Sequence, residues 1–278
     1  MNDQPVFLPH SHIEIISPDI QRGQIRYALF DFDGTISLIR EGWQGIMIPM
    51  MVEILMDTPH HEERHQIEKG VDEFVSRLTG KQTIYQMIQL CEEITARGGI
   101  PMEPLDYKHE YNERLTRQIQ HRIDDLKAGR SKPEEQVVPG TFAWLNVLKD
   151  HNITCYLASG TDEKYVMEEA DLLQISPFFA GVYGAQDNYQ SFSKKMVIDR
   201  IIHSHNLHGA DFVAFGDGYV EIEDSKSVNG IAVGVASDEK NRRGIDDWKR
   251  TRLIAAGADL IIPDFQEADL LEKFLFPD

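Results

Sequence analysis

Apolar positions along this chain follow two rhythms, and the rhythm changes twice. Tyr27-Ala28-Leu29-Phe30 is an unbroken apolar run within a strand predicted over 25–31. From 44 to 128 the apolar positions recur at helical spacing. Breakers at Thr58-Pro59, Thr79-Gly80 and Gly98-Gly99-Ile100-Pro101 divide this stretch into helices over 44–57, 61–79, 83–97 and 105–128. From Val137 the pattern turns to alternation. Pro139-Gly140 opens a helix through Lys149, and strands over 153–158, 181–183, 211–215, 231–236 and 259–262 alternate with helices over 162–173, 194–206, 219–228, 246–256 and 266–275. Such alternation implies an α/β fold, a Rossmann-like parallel sheet with helices on both faces. Ile13-Glu14-Ile15-Ile16, after a polar, disordered-looking start, reads as a short strand that pairs with or covers the core. The chain therefore divides into an N-terminal extension over 1–24, an α/β core over 25–37 and 137–278, and an all-helical insertion over 38–136.

The strand at 25–31 ends in Asp31-Phe32-Asp33-Gly34-Thr35. Residues two apart on a strand share a face, so both acids lean into one place, and Gly34 permits the tight turn that follows. Two carboxylates this close need a cation or a shared proton. A divalent metal with an aspartyl nucleophile and a neighbouring acid meets that need, and the chemistry is phosphoryl transfer. By this motif the chain resembles the haloacid dehalogenase superfamily, in its phosphatase branch, across everything but the extension and the insertion. The resemblance makes Asp31 the nucleophile of a phospho-aspartyl intermediate and Asp33 the general acid and base, with its backbone carbonyl a metal ligand. Dehalogenase relatives lack an acid at the second position, so Asp33 points to phosphate esters.

Three later motifs fall at the ends of successive strands, where open α/β sheets bind ligands. Leu157-Ala158-Ser159-Gly160-Thr161 offers a hydroxyl and backbone N–H groups where a helix begins, with Thr161 or Asp162 as its cap. Ser159, with the Gly160 amide beside it, resembles the family's phosphate-binding residue. Ser193-Lys194-Lys195 places two ammonium groups at a helix start, against dipole preference. By spacing to Val197-Ile198, Lys194 is the closer match to the family's lysine, and Lys195 the alternative. Val213-Ala214-Phe215-Gly216-Asp217-Gly218 ends an apolar strand, and Asp217 resembles the family's metal-binding Asp. Glu221 stands where the family commonly has a second Asp. Its longer side chain leaves open a metal ligand, a water-mediated ligand or a partner for the lysine. The implied cofactor is Mg²⁺, held by Asp31, Asp33 and Asp217.

Composition narrows the partners. A formal charge of −18 argues against nucleic acid or an anionic membrane surface. No stretch approaches 18 consecutive apolar residues, and the start lacks the basic and apolar regions of a signal peptide. Two cysteines make no disulfide framework, so the expected location is cytoplasmic. The helical insertion resembles the family's α-helical cap. Its specificity candidates are Arg40 in the linker before it and Gly80, Lys81 and Gln82 in an interhelical turn; an ordinary turn capped by Thr83 is the alternative there. The expected activity is Mg²⁺-dependent hydrolysis of a small phosphorylated metabolite. Its rivals are a β-phosphoglucomutase-type mutase, a phosphonate hydrolase using Lys81 and a catalytically silent binding module. Oligomeric state is not written in these patterns.

Overall fold

The structure, a computed structural model, describes residues 5–277. Seven strands form one sheet: β1 (Glu14–Ile15), β2 (Tyr27–Phe30), β3 (Thr154–Asp162), β4 (Phe179–Ala185), β5 (Phe212–Gly216), β6 (Ile231–Val235) and β7 (Leu260–Ile262). Their order is β1-β7-β6-β5-β2-β3-β4, parallel except for β1, which pairs antiparallel with β7. β5 and β6 are buried along their whole length, as strands covered on both faces must be.

Alternation along the strands sorts the core. Ala28, Phe30, Val213 and Phe215 pack on one face with Trp144 and Leu148 of α5 (Thr141–Asp150), Val166 of α6 (Glu163–Leu172) and Leu271 of α10 (Ala268–Leu275). On the other face, Leu29 and Ala214 meet Val197, Ile198 and Ile201 of α7 (Lys194–His205). Ala232 and Ile261 meet Ile222 of α8 (Tyr219–Ser227) and Leu253 of α9 (Asp247–Ala255). The chain winds from β2 outward through β3 to β4, then returns to β5 and winds the other way. This reversal beside β2 opens a crevice at the carboxyl ends of β2, β3 and β5.

Between β2 and β3 stand α1 (Gln44–Met56), α2 (Arg64–Leu78), α3 (Thr83–Ala96) and α4 (Pro104–Lys127). The sequence places them within three residues at every end. Met47, Met50 and Met51 are buried packing residues, as their helical spacing predicts. The block leaves and re-enters the core on adjacent strands of chain. Ser37 bridges Val137, the Leu38 amide donates to the Gln136 carbonyl at 2.9 Å, and the Val138 amide donates to the Ile36 carbonyl at 2.9 Å.

Two expectations need correction. The described residues of the polar start fold back on themselves: Phe7 bridges Glu14, and the Leu8 amide donates to the Ile13 carbonyl at 2.9 Å. The expectation for residues 1–4 lies outside the described residues. β3 does not stop at 158 but stays extended through Asp162, with its register against β4 shifting after Ala158. Ser159 and Gly160 therefore lie in extended chain, not at a helix start. Asp162 holds the N-cap position of α6, but its side chain bonds Lys108 at 2.5 Å instead of the helix amides. Among the described residues no helix is long and apolar enough to cross a membrane.

Candidate active site

β2 delivers Asp31 to the crevice, 5% exposed. Its Oδ1 accepts from the Phe32 amide at 2.7 Å and from the Lys194 ammonium at 2.8 Å, while Oδ2 accepts no hydrogen bond among the described residues. Burial pushes the Asp31 carboxyl up to about 6. Lys194 pulls it down, and Asp217 pushes it further up. Lys194 opens α7 behind Ser193, whose Oγ caps the helix by accepting from the Met196 amide at 3.1 Å. Its ammonium reaches both Asp31 and Glu221, and all three side chains are nearly fully buried. Lys195 instead faces outward to Asp199 and Ser227 at 3.3 and 3.1 Å. Between the two lysines left open by spacing, Lys194 is the one at Asp31. Glu221 serves as that lysine's partner, and its second carboxylate oxygen has no hydrogen-bond partner.

Asp33 sits across the crevice. Its Oδ2 accepts from the hydroxyls of Ser159 at 3.2 Å and Thr161 at 2.8 Å. Its Oδ1 has no hydrogen-bond partner and lies 4.0 Å from Arg40 Nε. Burial raises the Asp33 carboxyl to about 6, against the lowering pull of Arg40. About a quarter of this side chain is exposed to the cavity, so solvent moderates the effect.

Asp217, at the end of β5, has its amide held by Thr35 Oγ1 at 2.9 Å. Its Oδ2 bonds Lys249 Nζ at 2.8 Å, and Lys249 also bonds Glu239 at 2.6 Å. Gly34, at φ +76°, passes directly beneath this carboxylate. A side chain there would meet Asp217 Oδ2 at 2.3 Å, so the turn after the first motif requires glycine.

Of the four specificity candidates, two are engaged elsewhere. Arg40 is buried, and its guanidinium donates to Glu169 at 2.6 and 3.0 Å, so it braces Asp33 from behind and is not free for a leaving group. The Gln82 amide crosses to the core and donates to the Phe192 carbonyl at 2.7 Å. Gly80, at φ +96°, lets the turn approach Gly218 closely, and the Lys81 carbonyl passes over Gly160. The Lys81 side chain is exposed at the cavity mouth, 5.8 Å over the Tyr85 ring. Thr161, Glu169, Glu239 and Lys249 were not anticipated. Thr161 lay within a recognised motif, whereas the other three come from remote segments with no signature spacing.

The crevice and the helical block together line a cavity that opens to solvent. Among the described residues, no three His, Cys, Asp or Glu side chains converge as a metal-binding group. The expected shell needs only two side chains and one backbone carbonyl. Among the described residues Asp217 Oδ1 accepts no hydrogen bond, and six acids in the site face three cations. That surplus of negative charge, on hard oxygen donors, fits a divalent cation such as Mg²⁺.

The fold and site define an α/β protein with a carboxylate pair at the topological switch point of a mostly parallel sheet. A sequence profile of the haloacid dehalogenase-like hydrolases matches residues 25–224, and the chain belongs to that family. Solved structures show the same fold. One is titled a β-phosphoglucomutase from Clostridium difficile, 14% identical over 90% of this chain and 97% of that one, with a TM-score of 0.59. A second is titled a predicted phosphatase from Clostridium acetobutylicum, 19% identical over 89% and 99%, with a TM-score of 0.58. A third is titled a predicted phosphoglycolate phosphatase from Haemophilus somnus, 15% identical over 90% and 98%, with a TM-score of 0.56. A search of curated proteins found no match.

Proposed function

We propose that this hydrolase is a phosphomonoesterase acting on a small phosphorylated metabolite, with the helices over 38–136 as its cap. The carrying observation is the unequal dressing of two carboxylates, Asp31 buried and Asp33 partly open to the cavity. Asp31 keeps one oxygen pinned by Lys194 and the Phe32 amide, which leaves Oδ2 free to attack. Asp33 keeps one oxygen held by two hydroxyls, which leaves Oδ1 free to carry a proton.

In the reaction, Asp31 Oδ2 forms a bond to phosphorus as the bond to the leaving oxygen breaks. The leaving oxygen takes its proton from Asp33. Water then attacks the phospho-aspartyl group, gives its proton to Asp33, and frees Asp31 and inorganic phosphate. Lys194, Ser159 and the Gly160 backbone hold the phosphoryl oxygens, and Glu221 holds Lys194 in place. Asp31, the Asp33 carbonyl and Asp217 would hold Mg²⁺, which when bound supplies the charge that offsets the transferring phosphoryl group. The high negative charge and the unpaired Cys91 and Cys155 support a cytoplasmic enzyme with no nucleic-acid or membrane partner.

The test is a phosphate-release screen over phosphorylated metabolites with and without Mg²⁺, on the wild type and Asp31→Asn. Mg²⁺-dependent release that vanishes in a folded Asp31→Asn protein is expected. Isomerisation without release would identify a mutase, and wild-type release from Asp31→Asn would sink the covalent route.

A further inference from the structure

The cavity wall opposite the carboxylates belongs to the helical block, and its polar groups divide by whether the protein already uses them. Arg40 is committed to Glu169, Gln82 to Phe192 and Tyr189, and the Asn112 amide to Asp162 at 3.2 Å. Gln86 on α3 and Tyr111 on α4 line the cavity too, at 3% and 4% exposed, and neither side chain has a hydrogen-bond partner among the described residues. Trp43, Met47 and Leu115 complete the wall with apolar surface.

Their polar atoms open onto the cavity, and the two groups carry both donors and acceptors that a ligand can pair. A carboxamide and a phenol match hydroxyl groups, which also donate and accept. They do not match an anion. Among the described residues lining this side, Lys81 is the cation without an ion-pair partner, and it lies exposed at the mouth, where water screens it. Glu41 and Glu239 line the cavity as well, and the arginines and lysine beside them are committed to these carboxylates, so none offers a counter-charge to a second anion. A carboxylate carried to Gln86 would be buried without a counter-charge.

Resting on the phosphatase reading, we infer that the substrate is the monophosphate of a neutral, polyhydroxylated carbon skeleton, a sugar or polyol. Gln86 and Tyr111 bind its hydroxyls, and Trp43 covers its carbon face. Acid phosphates and bisphosphates are rejected because the buried cation of this wall, Arg40, is already committed to Glu169.

A matched pair tests this. Glucitol 6-phosphate and gluconate 6-phosphate differ only in a terminal alcohol against a carboxylate, and 4-nitrophenyl phosphate reports the core chemistry. The wild type should prefer the polyol phosphate at least tenfold in kcat/KM. Gln86→Leu should lower the polyol phosphate about tenfold relative to the aryl phosphate, with Tyr111→Phe moving the same ratio. Equal or better hydrolysis of the acid would overturn the inference while aryl phosphate turnover left the phosphatase reading intact. A nucleoside monophosphate turned over faster than every sugar and polyol phosphate would overturn it equally. Release from none of these esters would refute both.

Discussion

Lys194→Met removes one ammonium from between two buried acids and replaces it with an uncharged side chain of similar length. In the wild type that ammonium bonds Asp31 Oδ1 at 2.8 Å and also bonds Glu221, with the three side chains 4%, 7% and 0% exposed. Breaking a buried ion pair by deleting one partner typically costs about 3–5 kcal/mol, because the other charge is left without compensation. Here two acids are left, so the upper half of that range is expected at pH 8. The pH dependence follows from sign. Asp31 already stands at about 6 against an ordinary 3.8, which is roughly 3 kcal/mol of destabilisation of its ionised form. An acid raised in the folded protein binds more protons there than in the unfolded chain, so stability rises as pH falls through the window between the two values. Losing Lys194 raises Asp31 further and widens that window. Urea unfolding without divalent cations should therefore show a deficit that is large at pH 8 and shrinks by 1 kcal/mol or more at pH 5. A deficit below about 1 kcal/mol at pH 8, or one that does not change with pH, would mean the lysine does not carry the site's charge balance.

Three further outcomes follow from the same geometry. Asp217→Ala should raise the Mg²⁺ concentration for half-maximal phosphate release at least tenfold, since one of two carboxylate ligands is gone; an unchanged titration would reduce Asp217 to a turn residue. With Asp33 needed protonated and raised to about 6 by burial, kcat/KM for an alkyl phosphate should fall above about pH 6. That alkaline fall should be absent for 4-nitrophenyl phosphate, whose leaving group needs no proton, and an identical fall for both esters would remove Asp33 from the acid role. Arg252 on α9 donates to the Ser76 carbonyl, to Arg77 at 2.8 Å and to Thr79 at 3.0 Å, capping α2 from the core. Arg252→Ala should cost about 1–3 kcal/mol in urea unfolding and speed proteolysis within 79–82, and unchanged cleavage there would mean the turn is held by other contacts.

Element types were legible in the sequence because their causes are local. A four-residue apolar run such as Tyr27–Phe30 or the recurrence every four residues of Tyr107, Tyr111, Leu115 and Ile119 needs no knowledge of the partner surface. The carboxylate pair was legible for the same reason, as two positions of one strand. Side-chain destinations were not. Arg40 meets Glu169 across 129 residues of chain, and Lys249 meets Asp217 across the sheet, so neither spacing nor propensity could announce them. The extension of β3 through 159–162 was also hidden. Its Ser-Gly-Thr-Asp composition favours a cap, whereas the pairing of Asp162 with Ala185 of β4, the hydroxyl bonds to Asp33 and the Lys108–Asp162 pair hold it straight.

The paired linkers at Ser37 and Val137 have a consequence for how such an enzyme changes its diet. Because the helical block hangs from one two-stranded stem, its ends are already together, and its length hardly alters the entropy of closing the loop. Helices can be lengthened, exchanged or re-lined with new residues while the stem fixes where the chain re-enters β3. Asp31, the proposed nucleophile, sits six residues before Ser37 of that stem. Selection can therefore rewrite what the enzyme recognises and leave untouched the place where bonds are broken.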